Sequence, residues 1–244
     1  MDSNASKQVS VIIPAYNEAD IIGDTVKAAL RIPNVSEVLV VDDGSTDKTA
    51  EVAKIAGAHS VIRSPKNMGK GDALNSAWRQ SKGQILLLLD ADLGKSAAEA
   101  GLLLDPVLND QVDMTIAWFR RPSDPCFKNI DGSPNLSPRS GGFGIVVKTA
   151  RLGIWLLTRR WIQSPLSGPR ALRREILDRI GGFAKKFGVE VGLTVDALRI
   201  GYRIMEVPVS MVHRPSGRDL KGIRHRGRQM ADVIVTLAKR AMRI

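Results

Sequence analysis

Up to Phe119 the chain alternates two hydrophobic periods, and nothing else in it limits the possible folds so tightly. The runs "VSVIIPA" (9–15), "EVLVVDD" (37–43), "HSVIR" (59–63), "QILLLLD" (84–90) and "DMTIAWF" (113–119) are short and largely apolar or β-branched. Such runs suit strands buried on both faces, as in a parallel sheet. Helical spacing fills the intervals at 21–31, 47–56, 71–81 and 96–108, with Asp47 and Ser96 where N-cap residues belong. Strand and helix in regular succession predict an α/β sandwich with right-handed crossovers.

Beyond residue 119 the pattern breaks. Residues 120–142 carry four prolines and no period, which predicts a long flexible loop, either a functional lid or a mobile segment. A helix is expected from 143 to about 161, then the turn "SPLSGPRAL", a short helix over 173–180 and a helix in "FGVEVGLTVDALRIGY". A late strand, "RIMEVPVSMVH" (203–213), and a helical C-terminal segment from 219 onward complete the reading.

The net charge of +11 is uneven: residues 214–244 hold nine basic and two acidic residues. An anionic partner is implied, and nucleic acid, anionic lipid and phosphorylated metabolites all satisfy that charge. The nucleic-acid alternative rests on this basic segment alone. The chain has two tyrosines and no cluster of aromatics on which bases could stack. Cys126, the single cysteine, excludes an internal disulfide framework and predicts a reducing compartment. The N-terminus "MDSNASKQ" lacks the apolar stretch of a signal peptide. The longest apolar candidate, residues 142–158, is broken by Lys148 and Arg151, so no membrane crossing is expected. A cytoplasmic protein that can associate with the inner membrane face follows.

Acidic residues collect where strands end: "PAYNE" (14–18), "DDGS" (42–45) and "DAD" (90–92). Ligands of open parallel sheets bind at the carboxyl ends of strands, so Glu18, Asp42, Asp43, Asp90 and Asp92 are candidate site residues. Carboxylates two apart in an extended segment project alike, and hard oxygens of this kind suit Mg²⁺ or Mn²⁺ bridging to a diphosphate. In "NMGKGDALN", glycines 69 and 71 permit close backbone approach, while Lys70 offers a point charge to an anion. Strand one is not followed by the G-x-G-x-x-G turn of a dehydrogenase.

Taken in order, "VSVIIPAYNEADII", "VLVVDDGSTDKTAEVA", "NMGKGDALNSAW" and "GQILLLLDADLG" resemble the nucleotide-sugar-binding half of family 2 glycosyltransferases of the GT-A fold. The resemblance implies a single α/β GT-A domain with a Rossmann-like, mostly parallel sheet flanked by helices. Within it, 1–119 would bind the nucleotide sugar, 120–213 would build the acceptor side, and 214–244 would form a basic helix. Pro14, Ala15 and Glu18 would hold the nucleoside, and Asp42 or Asp43 would contact base or ribose. Lys70 and Asp72 would lie near the nucleotide. Asp90, with Ala91 beside it, would touch ribose or metal, and Asp92 would coordinate a divalent cation that helps the diphosphate depart.

Two later segments are similar to acceptor-side elements of the same family. "SPLSGPRALRREIL" brings Ser167, Gly168 and Arg170 to the acceptor, and Arg170, Arg214 and Arg218 could clamp phosphate. "FGVEVGLTVDAL" puts Glu190 before the acceptor hydroxyl, as the base if the enzyme inverts, with Asp196 in reserve. The family more often has Glu-Asp there, where this chain has Glu190-Val191. His213, after the late strand, would complete the metal site, imidazole being a suitable ligand for Mn²⁺. The expected activity is metal-dependent transfer of a sugar from a UDP- or GDP-sugar to a small phosphorylated or lipid-phosphate acceptor. In the last helix Leu220, Ile223, Met230, Val233, Ile234, Leu237 and Ala241 form a stripe expected to pack on the domain. Its basic faces offer peripheral membrane contact as a second reading.

Overall fold

A computed structural model describes residues 7–119, 143–184, 188–213 and 220–242. The expected flexible loop 120–142 and the predicted phosphate ligands Arg214 and Arg218 lie outside the described residues. One seven-stranded sheet forms the centre, in the order β3-β2-β1-β4-β6-β5-β7. Its first half is built from β1 (Val9–Ala15), α1 (Ile22–Ala29), β2 (Val35–Asp42), α2 (Thr49–Ile55), β3 (Ser60–Arg63), α3 (Lys70–Gln80) and β4 (Ile85–Leu88). β1 pairs in parallel with both β2 and β4, and β2 with β3. The chain therefore winds one way from β1 to β3 and then crosses back to β4. That reversal puts a topological switch point between β1 and β4, where a crevice opens beyond the strand ends.

Each central strand feeds two cores. Val9, Val11 and Ile13 of β1 with Ile85 and Leu87 of β4 join one cluster, while Ile12, Leu86 and Leu88 join the other. Burial on both faces is why these strands read as unbroken apolar runs.

After β4 the expected 96–108 helix is replaced by a 3₁₀ stretch (Ala91–Ala100), broken at Gly94, that hands over to α4 (Gly101–Leu108). Ser96 is not an N-cap. Its hydroxyl donates to the Leu93 carbonyl at 2.6 Å and accepts from the Val212 N–H at 3.1 Å, tying this stretch to the chain just before His213. Asp47 lies one residue before the N-cap position, which Lys48 takes, yet its carboxylate accepts the N–H of Thr49, the first residue of α2, at 3.0 Å.

The second half adds β5 (Met114–Phe119), α5 (Phe143–Thr158), β6 (Arg170–Arg173), α6 (Arg174–Ile180), α7 (Val189–Arg199), β7 (Ile204–Val209) and α8 (Leu220–Ala241). β6 lies inside the segment expected to be a turn. It runs antiparallel between β4 and β5, so the sheet is mostly and not wholly parallel. Four residues are too few for a period to show against Pro165 and Pro169. The α8 stripe packs inward through Val233 and Leu237, whereas Ile234 is half exposed.

Candidate active site

The site begins with two loops that hold each other. Asn17 takes a positive φ of 55°, and its amide oxygen accepts the Thr46 N–H at 2.8 Å. In return Ser45 accepts the Asn17 N–H, and Thr49 the Glu18 N–H. The Pro14–Ala15 strand end is pinned as well, since the Ala15 carbonyl accepts the Asp43 N–H at 2.9 Å. Asn17, Ser45 and Thr49 were not singled out from the sequence, although "YNE" and "DGSTD" are both rich in turn-forming side chains.

The two aspartates ending β2 divide their work. Asp42, fully buried, accepts the Ser45 N–H at 2.9 Å and the Arg63 Nε at 3.1 Å. Asp43 accepts the N–H groups of Met68 and Gly69 at 2.9 and 2.7 Å. It thereby anchors the glycine loop just where Gly69, at φ 96°, turns the chain into α3. Lys70 is the first residue of that helix, and the half-buried Asp72 sits in the same turn.

Lys70 is the centre of the site. Its Nζ lies 2.7 Å from Asp90 Oδ1, beyond the end of β4, and 2.8 Å from Glu190 Oε1, in the first turn of α7. Burial works against the ammonium charge, but the two carboxylates outweigh it and hold the Lys70 pKa above the ordinary lysine value. Burial likewise pushes Asp90 upward, and Lys70, then His213 and Arg170, more than reverse it. Asp90 is thus a carboxylate kept charged.

Asp92 follows in the 3₁₀ stretch, with its Oδ1 2.9 Å from His213 Nδ1, while His213 Nε2 is 3.9 Å from Asp90 Oδ2. Phe119 packs on the imidazole with ring centroids 4.8 Å apart. Burial opposes protonation of His213, yet the Asp92 hydrogen bond and the Asp90 charge raise its pKa. Ala91, between the two aspartates, turns its side chain into the core. Its carbonyl accepts the Thr25 hydroxyl at 2.8 Å, which helps aim its neighbours outward.

From the antiparallel strand β6 comes Arg170, and from the turn that leads into it come Ser167 and Gly168. A Cβ on Gly168 would meet Asp90 Oδ2 at 2.3 Å, so the backbone there closes directly on the carboxylate. Arg170 is 1% exposed and is not a free phosphate clamp. It donates to the Glu190 carbonyl at 3.3 Å, to Thr194 at 3.4 Å and to the Ser167 carbonyl. Burial lowers its pKa, with Glu190 and Asp90 opposing. Arg170 braces the Ser167 turn against α7. Asp196 is also removed from the reacting centre: on another face of α7 it pairs with Arg240 of α8, at 2.8 Å from Nε.

A further residue aligns the two sides. Asn75 of α3 donates to the Phe183 carbonyl at 3.0 Å and accepts the Phe183 and Trp78 Nε1 hydrogens at 2.9 and 3.0 Å. The helix that begins with Lys70 is thereby fastened to the chain shortly before Glu190. A mid-helix asparagine has low helix propensity, and that was the available signal.

The chain is similar to several known proteins. The family model described as "Glycosyl transferase family 2" matches residues 10–181. Glycosyltransferase AglJ of Haloferax volcanii is 31% identical over 219 residues, 86% of this chain and 65% of that protein. Glucosyl-3-phosphoglycerate synthase of Mycolicibacterium paratuberculosis is 32% identical over 212 residues, 82% of this chain and 63% of that protein. The chain thus spans just under two thirds of the length of these two relatives. Among solved structures, glucosyl-3-phosphoglycerate synthase from Mycobacterium tuberculosis in complex with Mn²⁺, UDP and phosphoglyceric acid matches with a TM-score of 0.75 at 27% identity. That match covers 97% of this chain and 79% of the other.

Proposed function

From the premise that this chain belongs to glycosyl transferase family 2, we propose that it transfers a hexosyl group from a UDP-sugar to a small phosphorylated acceptor of the phosphoglycerate type. The observation that carries this reading is the meeting of Asp90, Glu190 and Lys70 beside the Asp92–His213 pair, at the β1–β4 switch point. UDP and phosphoglycerate as ligands are supported by the matching synthase structures that hold both. A GDP-sugar and a lipid-phosphate acceptor, also open from the sequence, have no such support. Nor has a nucleic-acid role for the basic segment.

The residues present fit a divalent cation. Among the described residues no three carboxylate, imidazole or thiol side chains gather at ligand spacing. Asp92 oxygen and His213 nitrogen nonetheless provide two ligands, and Mg²⁺ or Mn²⁺ commonly takes one or two protein ligands and completes its shell with phosphate oxygens and water. Such a cation would supply Lewis-acid stabilisation of the departing diphosphate. Everything else falls to the chain itself. The Asp43-anchored loop positions Lys70, and Lys70 presents a fixed positive charge where phosphate charge develops. Asp90 holds that ammonium and offers its second oxygen to the sugar hydroxyls. Glu190, held by Lys70 through one oxygen, presents the other to the acceptor hydroxyl. The Ser167–Gly168 backbone closes the sugar pocket, which positions donor and acceptor together.

Titration calorimetry with UDP tests the donor half. Binding is expected in Mn²⁺, abolished by EDTA and lost in Asp92→Ala; equal binding with EDTA would remove Asp92 from the diphosphate site. Incubating UDP-glucose separately with 3-phosphoglycerate and a polyprenyl phosphate tests the acceptor half. A product formed only with the lipid refutes the phosphoglycerate reading.

A further inference from the structure

The outward face of α5 takes no part in this site. Ile145, Lys148, Leu152, Trp155 and Leu156 fall within an arc of about 100° at helical spacing, and Arg159 follows just past the helix end. All six are exposed, with Ile145 at 70%, Leu152 at 53% and Leu156 at 55%. The opposite arc, Val146, Ala150 and Ile154, is buried in the core. The helix is therefore anchored by one stripe while it shows a second, largely apolar one to the outside. Just past its end Trp161 is 58% exposed beside the exposed Arg160.

The charges on this stretch have one sign. From 143 to 174 the chain contains no aspartate or glutamate, while Lys148, Arg159 and Arg160 are exposed around the apolar residues. Arg159 lies over the Trp155 ring, 5.1 Å from its centroid. Of the carboxylates bonded to this stretch, Glu206 is engaged by the Gln163 and Ser164 N–H groups, and Asp110 and Asp113 pair with Arg173 at its far end. Two-fold self-association through this face would set its lysine and arginines against their own copies. An anionic surface complements them.

We propose that the α5 face is a membrane-docking surface that lies flat on an anionic bilayer. Ile145, Leu152 and Leu156 would enter the acyl boundary, Trp155 and Trp161 the headgroup level, and the cations would meet lipid phosphates. Tryptophan with flanking Lys and Arg around an apolar stripe is the composition of a helix lying in the interface plane, and no helix among the described residues is long and apolar enough to cross a membrane. The proposal is independent of the sugar acceptor, since none of these residues contacts Lys70, Asp90, Glu190, Asp92 or His213 through the hydrogen bonds and ion pairs that build the transfer site.

The test uses the full chain with vesicles of phosphatidylcholine alone, or of equal parts phosphatidylcholine and phosphatidylglycerol, some carrying brominated acyl chains. Expected are co-sedimentation with the anionic vesicles only, and quenching of tryptophan fluorescence by bromine that disappears in Trp155→Phe/Trp161→Phe. Lys148→Ser/Arg159→Ser should lower the partition coefficient on the order of tenfold, and Leu152→Ser/Leu156→Ser should lower it comparably. Binding without bromine quenching would mean that the basic C-terminal segment alone attaches, and would overturn the proposal. So would the absence of binding at low ionic strength. A dimer seen by light scattering and dispersed by Leu152→Ser/Leu156→Ser would make the face a self-interface instead.

Discussion

Gly168 shows how little space separates the backbone from the chemistry. Any side chain there points into the Asp90 carboxylate, and Asp90 is what Lys70 grips. Gly168→Ala must push Asp90 off Lys70, with a strain of about 1–3 kcal/mol for an overpacked contact. The expected outcome is a folded protein with unchanged circular dichroism whose UDP-sugar affinity or turnover falls at least tenfold; unimpaired turnover would show that Asp90 can move without consequence. The neighbouring residues divide by legibility. Motifs alone point to Lys70, Asp90, Asp92, Glu190 and His213, and the structure brings them together. Arg170 and Asp196 carry the same chemical labels, yet one braces a turn and the other docks a helix. A charged side chain's type is written in the sequence; its partner is not.

At the scale of elements, Asp113 fastens strands at the end of the sheet remote from the site. At the start of β5 it accepts the Arg203 N–H at 2.8 Å and the Arg203 Nε at 3.1 Å just before β7, while Arg173 of β6 lies 3.3 Å away. The Arg203 hydrogen bond, against the opposing effect of burial, lowers the Asp113 pKa below the ordinary carboxylate value. A carboxylate depressed on folding contributes stability above its unfolded pKa and loses it as pH falls through the folded one. Asp113→Asn should therefore melt below wild type at pH 7, and the two melting temperatures should converge as pH drops below about 4. A gap that persists in acid would assign the effect to lost geometry and not to charge. The long strands and helices of the first half could be read from period alone, because burial on both faces leaves an unbroken apolar run. β6 could not: its neighbours β4 and β5 make it a strand, and nothing within "RALR" does so.

On the scale of the whole molecule, α8 closes the second half by lying across α5 and α7. Gly153 admits Leu237, Gly188 admits Thr236 and Gly192 admits the Arg240 guanidinium, so three glycines let the helix approach closely. Arg240, 9% exposed, is held by Asp196 and accepts a hydrogen bond from Arg199 through its carbonyl. Arg240→Ala leaves the Asp196 charge without its partner, an expected cost of about 3 kcal/mol. Denaturant melts should report that loss, together with faster hydrogen exchange in α8 than in β1 and β4; a loss below about 1 kcal/mol would show that α8 is held by its apolar stripe alone. The sequence by itself determined the α/β class, the strand ends that carry acid and the membership of a sugar-transferring family, because these depend on local period and on short ordered motifs. Only the tertiary structure decided which carboxylate meets which cation, that a reversed strand brings Gly168 onto Asp90, and that one face of α5 is left open. Those depend on elements far apart in the chain becoming neighbours, and no local period records that.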